Sequence, residues 1–353
     1  MRFFKFSIII IKGGFYIKTP VVSIDINKLS HNARFLKEFY KSKGIEIVAV
    51  LKGVSGNTTI AKIIHEQGIS ILSDTNVQNL KKFKELSKDI QCMMMRTPAK
   101  SEIEDVVSYT DISLNTEIEI IKLLSDESKR QGKIHQIILM IELGDLREGI
   151  LPKNLISYIT RIRTFENIEI VGIGTNFACF NNQNPSDEAM KHLSDLGHQI
   201  EFLFNLKLKY ISGGNSTMYS WVKNTKDTYR INQVRLGESI LCGTNPLDNL
   251  PIEGMHQDVF ELFSEVIEAK QKGKQVVQNS YLKRLILNIG RQDTDVSGLT
   301  SNNHVEIVNF SSNHIAAITK DETIGLGSRI SFRMNYESMM SSMTSPNVYK
   351  SYK

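Results

Sequence analysis

Between Thr19 and about Gly243 short apolar runs of β type alternate with amphipathic stretches of helical period, and this constrains the fold more than any other feature. The first run is Val21–Ile26, followed by a predicted helix from Lys28 to about Tyr40. Eight further runs follow: Glu46–Lys52, Ile69–Leu72, Ile90–Met95, Asp111–Leu114, Gln136–Glu142, Glu169–Thr175, Lys209–Gly213 and Val234–Cys242. Each is separated from the next by helix-compatible sequence. Eight βα units within about 200 residues predict an α/β fold, a (β/α)8 TIM-type barrel. An open doubly wound sheet is the alternative, but it seldom needs eight consecutive units.

Beyond Asn245 the texture changes. Val259–Ala269, Arg284–Ile289, Val305–Phe310, His314–Thr319 and Arg329–Asn335 read as strands without long helices between them. Residues 246–353 are therefore expected to form a smaller C-terminal all-β domain after a barrel over 19–245. The run at 21–26 precedes the first barrel helix and is free to pair with that β domain. Residues 1–18 hold an apolar run, Phe6–Ile11, too short to span a bilayer and without a small-residue cleavage site. They read as an N-terminal extension, in keeping with an upstream start codon.

A net charge of +5 spread along the chain, with no basic stripe interleaved with aromatics, argues against nucleic acid as a partner. No membrane partner is expected either. The cysteines, Cys92, Cys179 and Cys242, are odd in number and far apart, which fits buried thiols in a reducing, cytoplasmic compartment. The eight histidines show no metal-ligand spacing, and no Gly-x-Ser-x-Gly elbow or phosphate-binding Walker loop occurs.

In a β/α barrel, chemistry gathers where strands end and βα loops begin. The first barrel run ends Ala49-Val50-Leu51-Lys52-Gly53. If Lys52 is buried, desolvation favours the neutral amine that Schiff-base chemistry needs; a rim lysine snorkelling outward fits the pattern equally. Ser212-Gly213-Gly214-Asn215-Ser216-Thr217 follows the seventh run and opens a helix. It suits an anion, because glycines admit close approach and a helix start offers N–H groups; an ordinary capped turn is the alternative. Arg235 lies inside the eighth run and needs an acceptor, either a cofactor ring nitrogen or a structural partner. Arg147, in Gly144-Asp145-Leu146-Arg147-Glu148-Gly149, offers a cation for a substrate carboxylate, or simply a solvated loop charge. Asn176 closes the sixth run, where its amide either touches a bound ring or satisfies backbone.

Together these segments resemble the fold-type III pyridoxal-phosphate enzymes, the alanine racemase superfamily, over Thr19–Val348. Val48–Lys52 looks like the family's cofactor-lysine strand, Gly213-Gly214-Asn215-Ser216 like its phosphate loop and Val234–Gly237 like its pyridine-nitrogen arginine segment. Asn335-Tyr336-Glu337 is similar to the segment whose tyrosine hydroxyl reaches the cofactor phosphate. Within the superfamily, Leu143–Ile150, Gly172–Asn176, Ile289–Asp293 and Met343–Pro346 are most like the ornithine racemases.

The resemblance implies pyridoxal 5'-phosphate bound by Lys52, Asn176, Gly213, Gly214, Asn215, Ser216, Arg235 and Tyr336, with Lys52 catalytic as Schiff-base lysine and proton carrier. It implies a free amino acid as substrate, ornithine or a similar basic one, met by Arg147 and by an acidic group among Asp145, Glu148 and Glu238. It also implies a homodimer. The sequence departs from alanine racemase at Lys274–Tyr281, where the family's second base is missing; Tyr281, Asn313 and His314 are the candidates nearby. A decarboxylase or lyase on the same scaffold, or a non-catalytic cofactor carrier, are the competing functions, and carriers resemble the bare barrel.

Overall fold

The computed structural model describes residues 8–11, 14–178, 180–181, 183–277 and 280–353, with side chains from residue 18 onward and outside 272–281. The chain divides into two compact units. One comprises Ser30–Lys52 and Gly56–Met255; the other comprises His256–Lys353, the residues up to Leu29 and the Gly53–Ser55 turn. The first extends past Asn245 because Thr244–Asn245 pairs with Leu250–Pro251 and the buried Ile252 donates its N–H to the Gly243 carbonyl at 2.9 Å.

Strand β1 (Val21–Ile24) leads into helix α1 (Ile26–Ser42). Then follow β2 (Glu46–Val50), α2 (Thr58–Glu66), β3 (Ile71–Asp74), α3 (Val77–Leu86), β4 (Gln91–Met94), α4 (Ile103–Tyr109), β5 (Ile112–Asn115) and α5 (Ile118–Arg130). The series continues with β6 (His135–Met140), α6 (Leu155–Ile162), β7 (Ile168–Gly174), α7 (Asp187–Phe204), β8 (Tyr210–Ser212), α8 (Met218–Asn224), β9 (Gln233–Leu236) and α9 (Glu238–Cys242). Strands β2 to β9 close into one parallel barrel, with β9 paired to β2 in the register Arg235 to Val48.

Three barrel helices, α2, α3 and α7, start at polar caps. Asn57 accepts from the Ile60 N–H, Asn76 from Gln78 and Ser186 from Ala189, which satisfies donors that the first turn leaves unpaired. One apolar cluster in the barrel includes Val48, Ile71, Met93, Leu114, Met140 and Tyr210, drawn from different strands. Burial of each such side chain stabilises the barrel by roughly 1.5–3 kcal/mol. The apolar run Val234–Cys242 is not one strand. It breaks at Gly237, the N-cap of α9, so only Val234, Arg235 and Leu236 of that run stay in the sheet.

Cys92 and Cys242 are buried; burial pushes Cys92 up to about 12, while Cys179 lies outside the described residues. Among the described residues no helix is long and apolar enough to cross a membrane, and no cluster of His, Cys, Asp and Glu could hold a metal.

His135 on β6 is buried and its Nε2 lies 2.8 Å from the hydroxyl of Ser113 on β5. Burial pushes its imidazole from 6.5 down to about 4. The native state therefore binds fewer protons here than the unfolded chain as pH falls between those values. Stability held above the ordinary histidine pKa is lost on the acid side, to the extent of about 3 kcal/mol. Urea titrations at a series of pH values check this: His135→Gln is expected to flatten the acid-side loss, and an unchanged slope would refute the assignment.

The second unit is built on an eight-stranded sheet. Its strands are β10 (Phe260–Val277), β11 (Ser280–Leu287), β12 (Leu299–Ser301), β13 (Val305–Phe310), β14 (Ile315–Thr319), β15 (Arg329–Met334) and β16 (Tyr349–Tyr352), joined by β1. Strand β1 lies antiparallel to β10 and parallel to β16, although it precedes the barrel in sequence. The unit also carries helix α10 (Tyr336–Thr344), which a strand-only reading of residues 246–353 does not anticipate. Asn335 caps it by accepting from the Ser338 N–H at 2.9 Å.

Candidate active site

The mouth of the barrel at the C-terminal ends of the strands collects the polar groups. Arg235 on β9 is 1% exposed, and its guanidinium is held by oxygens from two neighbouring strand ends. Nη1 donates to the Ser212 hydroxyl on β8; Nη2 donates to the Thr175 carbonyl and, at 2.8 Å, to Asn176 Oδ1 after β7. All three acceptors are neutral. The Asn176 amide oxygen is thus satisfied by Arg235 rather than by backbone. Close approach of β7 and β8 makes this possible: a Cβ on Gly174 would fall 3.2 Å from Arg235 Nη1, and one on Gly172 only 2.3 Å from the Tyr210 carbonyl oxygen.

The loop after β8 and the loop after β9 meet at one oxygen. Ser216 Oγ accepts from the Gly237 N–H at 3.2 Å and the Ser239 N–H at 3.4 Å, and lies 3.2 Å from the Ser239 hydroxyl. Gly214, at φ +147°, occupies a conformation that favours glycine. Its carbonyl accepts from the Arg235 N–H at 2.9 Å, and the Gly213 N–H donates to the Gln233 carbonyl at 2.9 Å. Asn215 ties the loop down, accepting from Thr217 N–H at 2.9 Å and donating to the Phe177 carbonyl at 2.9 Å. The capping turn after β8 thus supplies the oxygen on which the donors of the loop after β9 converge. Two N–H groups and the Ser239 hydroxyl meet at Ser216 Oγ, a grouping whose donors suit phosphate oxygens.

Lys52 stands at the end of β2, where the chain leaves the strand in the short turn Lys52–Val54. It is exposed while Leu51 beside it is buried, so the rim position holds and burial of the amine does not. The turn is anchored to β3, since the Leu51 N–H donates to the Ser73 carbonyl at 2.8 Å and the Ser73 hydroxyl to the Ala49 carbonyl at 2.9 Å. In the other unit, Tyr336 at the start of α10 packs on Gly53: a Cβ there would fall 2.8 Å from the tyrosine hydroxyl.

The loop after β6 differs from a free cationic loop. Arg147 donates to both oxygens of Glu148, and its Nε is 3.9 Å from Asp145. The guanidinium expected to meet a substrate carboxylate thus already faces two carboxylates of its own loop. Asp145 is buried and accepts from the Phe180 N–H at 3.1 Å; Glu142 accepts from Gly144 and Leu146. Glu238 opens α9, half-buried, and accepts from the Thr244 hydroxyl at 3.2 Å. The side chain of Tyr281 lies outside the described residues.

The strand-end survey of the sequence passed over Asp74. It ends β3, is 1% exposed, and its carboxyl is raised above the usual range by burial, against hydrogen bonds from Asn76 and Asn79 and the charge of Lys52. Its place at a strand end is the signal that finds it; Asp74-Thr75-Asn76 reads as an ordinary turn before a helix.

Residues 24–246, more than half of the chain, match the family model for the alanine racemase N-terminal domain. This chain belongs to the alanine racemase family. Among curated relatives of this racemase, ornithine racemase of Acetoanaerobium sticklandii is 35% identical, covering 94% of this chain and 99% of its own. Lysine racemase of Thermotoga maritima is 31% identical, covering 94% and 98%. The fold is shared with alanine racemase of Streptomyces coelicolor (TM-score 0.77, 14% identity, 94% of this racemase and 97% of that chain). It is shared too with alanine racemase of Bartonella henselae, solved with covalently bound pyridoxal phosphate (TM-score 0.73, 17% identity, 95% and 100%). The racemase is an enzyme that inverts amino acids.

Proposed function

We propose that this racemase interconverts L- and D-ornithine, or a similar basic amino acid, with pyridoxal 5'-phosphate carried on Lys52. The observation that carries the reading is the barrel mouth itself, where Lys52 follows β2, Arg235 on β9 is held by neutral oxygens, and the Gly237 and Ser239 N–H groups gather on Ser216 Oγ. That donor set fits the cofactor: Ser216, Gly213, Gly214 and Asn215 with Ser239 would form the phosphate end, and Arg235 and Asn176 the ring end. When bound, pyridoxal phosphate withdraws electrons from the substrate Cα and so acidifies its hydrogen.

The chain's own residues supply the rest. Lys52 Nζ takes the Cα proton on one face and can return it. Inversion then needs a second acid on the opposite face, which donates its own proton to Cα while Lys52 keeps the one it took. Arg235, a cation fixed by neutral oxygens, offers an N–H to a ring nitrogen and no proton to give up at neutral pH. Arg147, held against Asp145 and Glu148, would orient a substrate carboxylate only by exchanging one of those partners. A homodimer in the cytoplasm completes the reading.

Support for a basic substrate comes from the full-length similarity to ornithine and lysine racemases and from the half-buried Glu238 on the α9 turn. A carboxylate there can meet a distal ammonium. Glu238→Gln is therefore expected to raise KM for ornithine about ten-fold and to leave turnover of alanine unchanged, measured by chiral chromatography of the products. Equal losses on both substrates would remove Glu238 from this role.

A further inference from the structure

The loop after β6 sets a cation and a carboxylate side by side on a closed frame. Its base is sealed by the bridge between Ile141 and Ile150: the Glu142 N–H donates to the Ile150 carbonyl at 3.0 Å, and the Ile150 N–H to the Met140 carbonyl at 2.8 Å. Glu142 Oε1 accepts from the Gly144 N–H at 2.6 Å and the Leu146 N–H at 3.1 Å, which holds Leu146 in the left-handed region at φ +56°. Gly149 closes on the same acid, since a Cβ there would fall 2.6 Å from the Glu142 nitrogen. Arg147 and Glu148 therefore extend from backbone that is fixed on both sides.

Arg147 Nε and Nη2 donate to the two oxygens of Glu148, Nη2 at 2.6 Å. These are the parallel donors of one guanidinium edge, the fork by which an arginine grips a carboxylate. One edge takes one carboxylate at a time. Asp145 Oδ2, at 3.9 Å from Nε, adds charge without reaching hydrogen-bond distance. The Arg147 and Glu148 side chains are 28% and 30% exposed, so a ligand can reach the pair and solvent screens it less than a fully exposed one.

We propose that Glu148 is an internal competitor for the substrate carboxylate, filling the Arg147 fork in the free protein and so setting the affinity for carboxylate ligands. The inference rests on the reading of Arg147 as the seat of that carboxylate. As the next residue in the chain, Glu148 acts at an effective concentration of roughly millimolar or more. The fork accepts a ligand only in the fraction of molecules in which Glu148 has let go. The apparent dissociation constant rises by the inverse of that fraction. A simple carboxylate is thereby held off, whereas a free amino acid has its amino group as a second hold.

The test labels the full, cofactor-loaded chain with phenylglyoxal, a neutral arginine reagent, in increasing pentanoate, a carboxylate without an amine. The rate at Arg147 is read by peptide mass spectrometry. Glu148→Gln is expected to speed labelling about three- to ten-fold, and to lower the pentanoate concentration that half-protects Arg147 by the same factor. Pentanamide, the neutral counterpart, should protect neither protein. Glu148→Ala provides the same test should the glutamine variant not fold. A labelling rate or a half-protection concentration unchanged from wild type overturns the proposal, as does equal protection by pentanamide. A merely structural Glu148 would alter melting without moving the half-protection point. Protection by pentanoate at one concentration in wild type and variant leaves Arg147 as the carboxylate seat and removes Glu148 alone. Absence of protection in both removes Arg147 from that reading as well.

Discussion

Lys52→Ala is expected to abolish exchange of the substrate Cα hydrogen, a loss of at least about a thousand-fold, because the same amine anchors the cofactor and carries the proton. The folded protein should survive intact. Lys52 is exposed, and substitutions at such positions usually change stability by no more than about 0.5 kcal/mol. Measured by Cα deuteration alongside a thermal melt, the variant should lose its chemistry and keep its melting temperature. Exchange at even a tenth of the wild-type rate would show that another residue does the work.

The largest structural effect is expected at Gly172→Ala. Strands β7 and β8 approach so closely that the new methyl group would sit 2.3 Å from the Tyr210 carbonyl oxygen and 2.8 Å from Tyr210 Cβ. The first obstacle is backbone within the paired register Tyr210 to Gly172, so rotating a side chain cannot relieve it. Overpacking of this kind costs about 3 kcal/mol or more. In a unit of this size that lowers Tm by roughly 6–12 °C. The consequence reaches the site, because Arg235 takes its acceptors from the ends of those same two strands, Thr175 and Asn176 after β7 and Ser212 on β8. A melt within about 2 °C of wild type would mean that β7 and β8 can separate at little cost.

The barrel is legible in the sequence because its strands are largely buried on both faces and so appear as short, mainly apolar runs, which turn residues and amphipathic helices punctuate. Strands β2 to β9 each fall within or overlap one of those runs. What periodicity does not encode is where a run stops being a strand. Val234–Cys242 keeps apolar residues at both ends, yet Gly237 turns the chain into α9 and so delivers the Gly237 and Ser239 N–H groups to Ser216. Helix α10 escapes notice because Met339, Met343 and their serine neighbours carry little amphipathic contrast.

In the site, the residues on strand ends are legible and their partners are not. Arg235 announces itself as a cation in an apolar strand, but its acceptors lie 23 to 60 residues away in sequence. Lys52 is found by its position, yet its exposure depends on the Lys52–Val54 turn, which follows an apolar strand without any periodic signal. Arg147 looks free in sequence because only geometry shows its side chain folding back on Glu148. Asp74 is hidden for the opposite reason: Asp-Thr-Asn before a helix is such common turn chemistry that its burial cannot be read from the letters.

The central claim is tested most directly by incubating the cofactor-loaded protein with L-ornithine in deuterated water, following the Cα proton signal and the enantiomeric composition together. Loss of the Cα proton signal in step with the appearance of D-ornithine is the expected result. Bound cofactor with an intact Cα signal and no D-enantiomer, for ornithine and for lysine and alanine alike, would contradict the account.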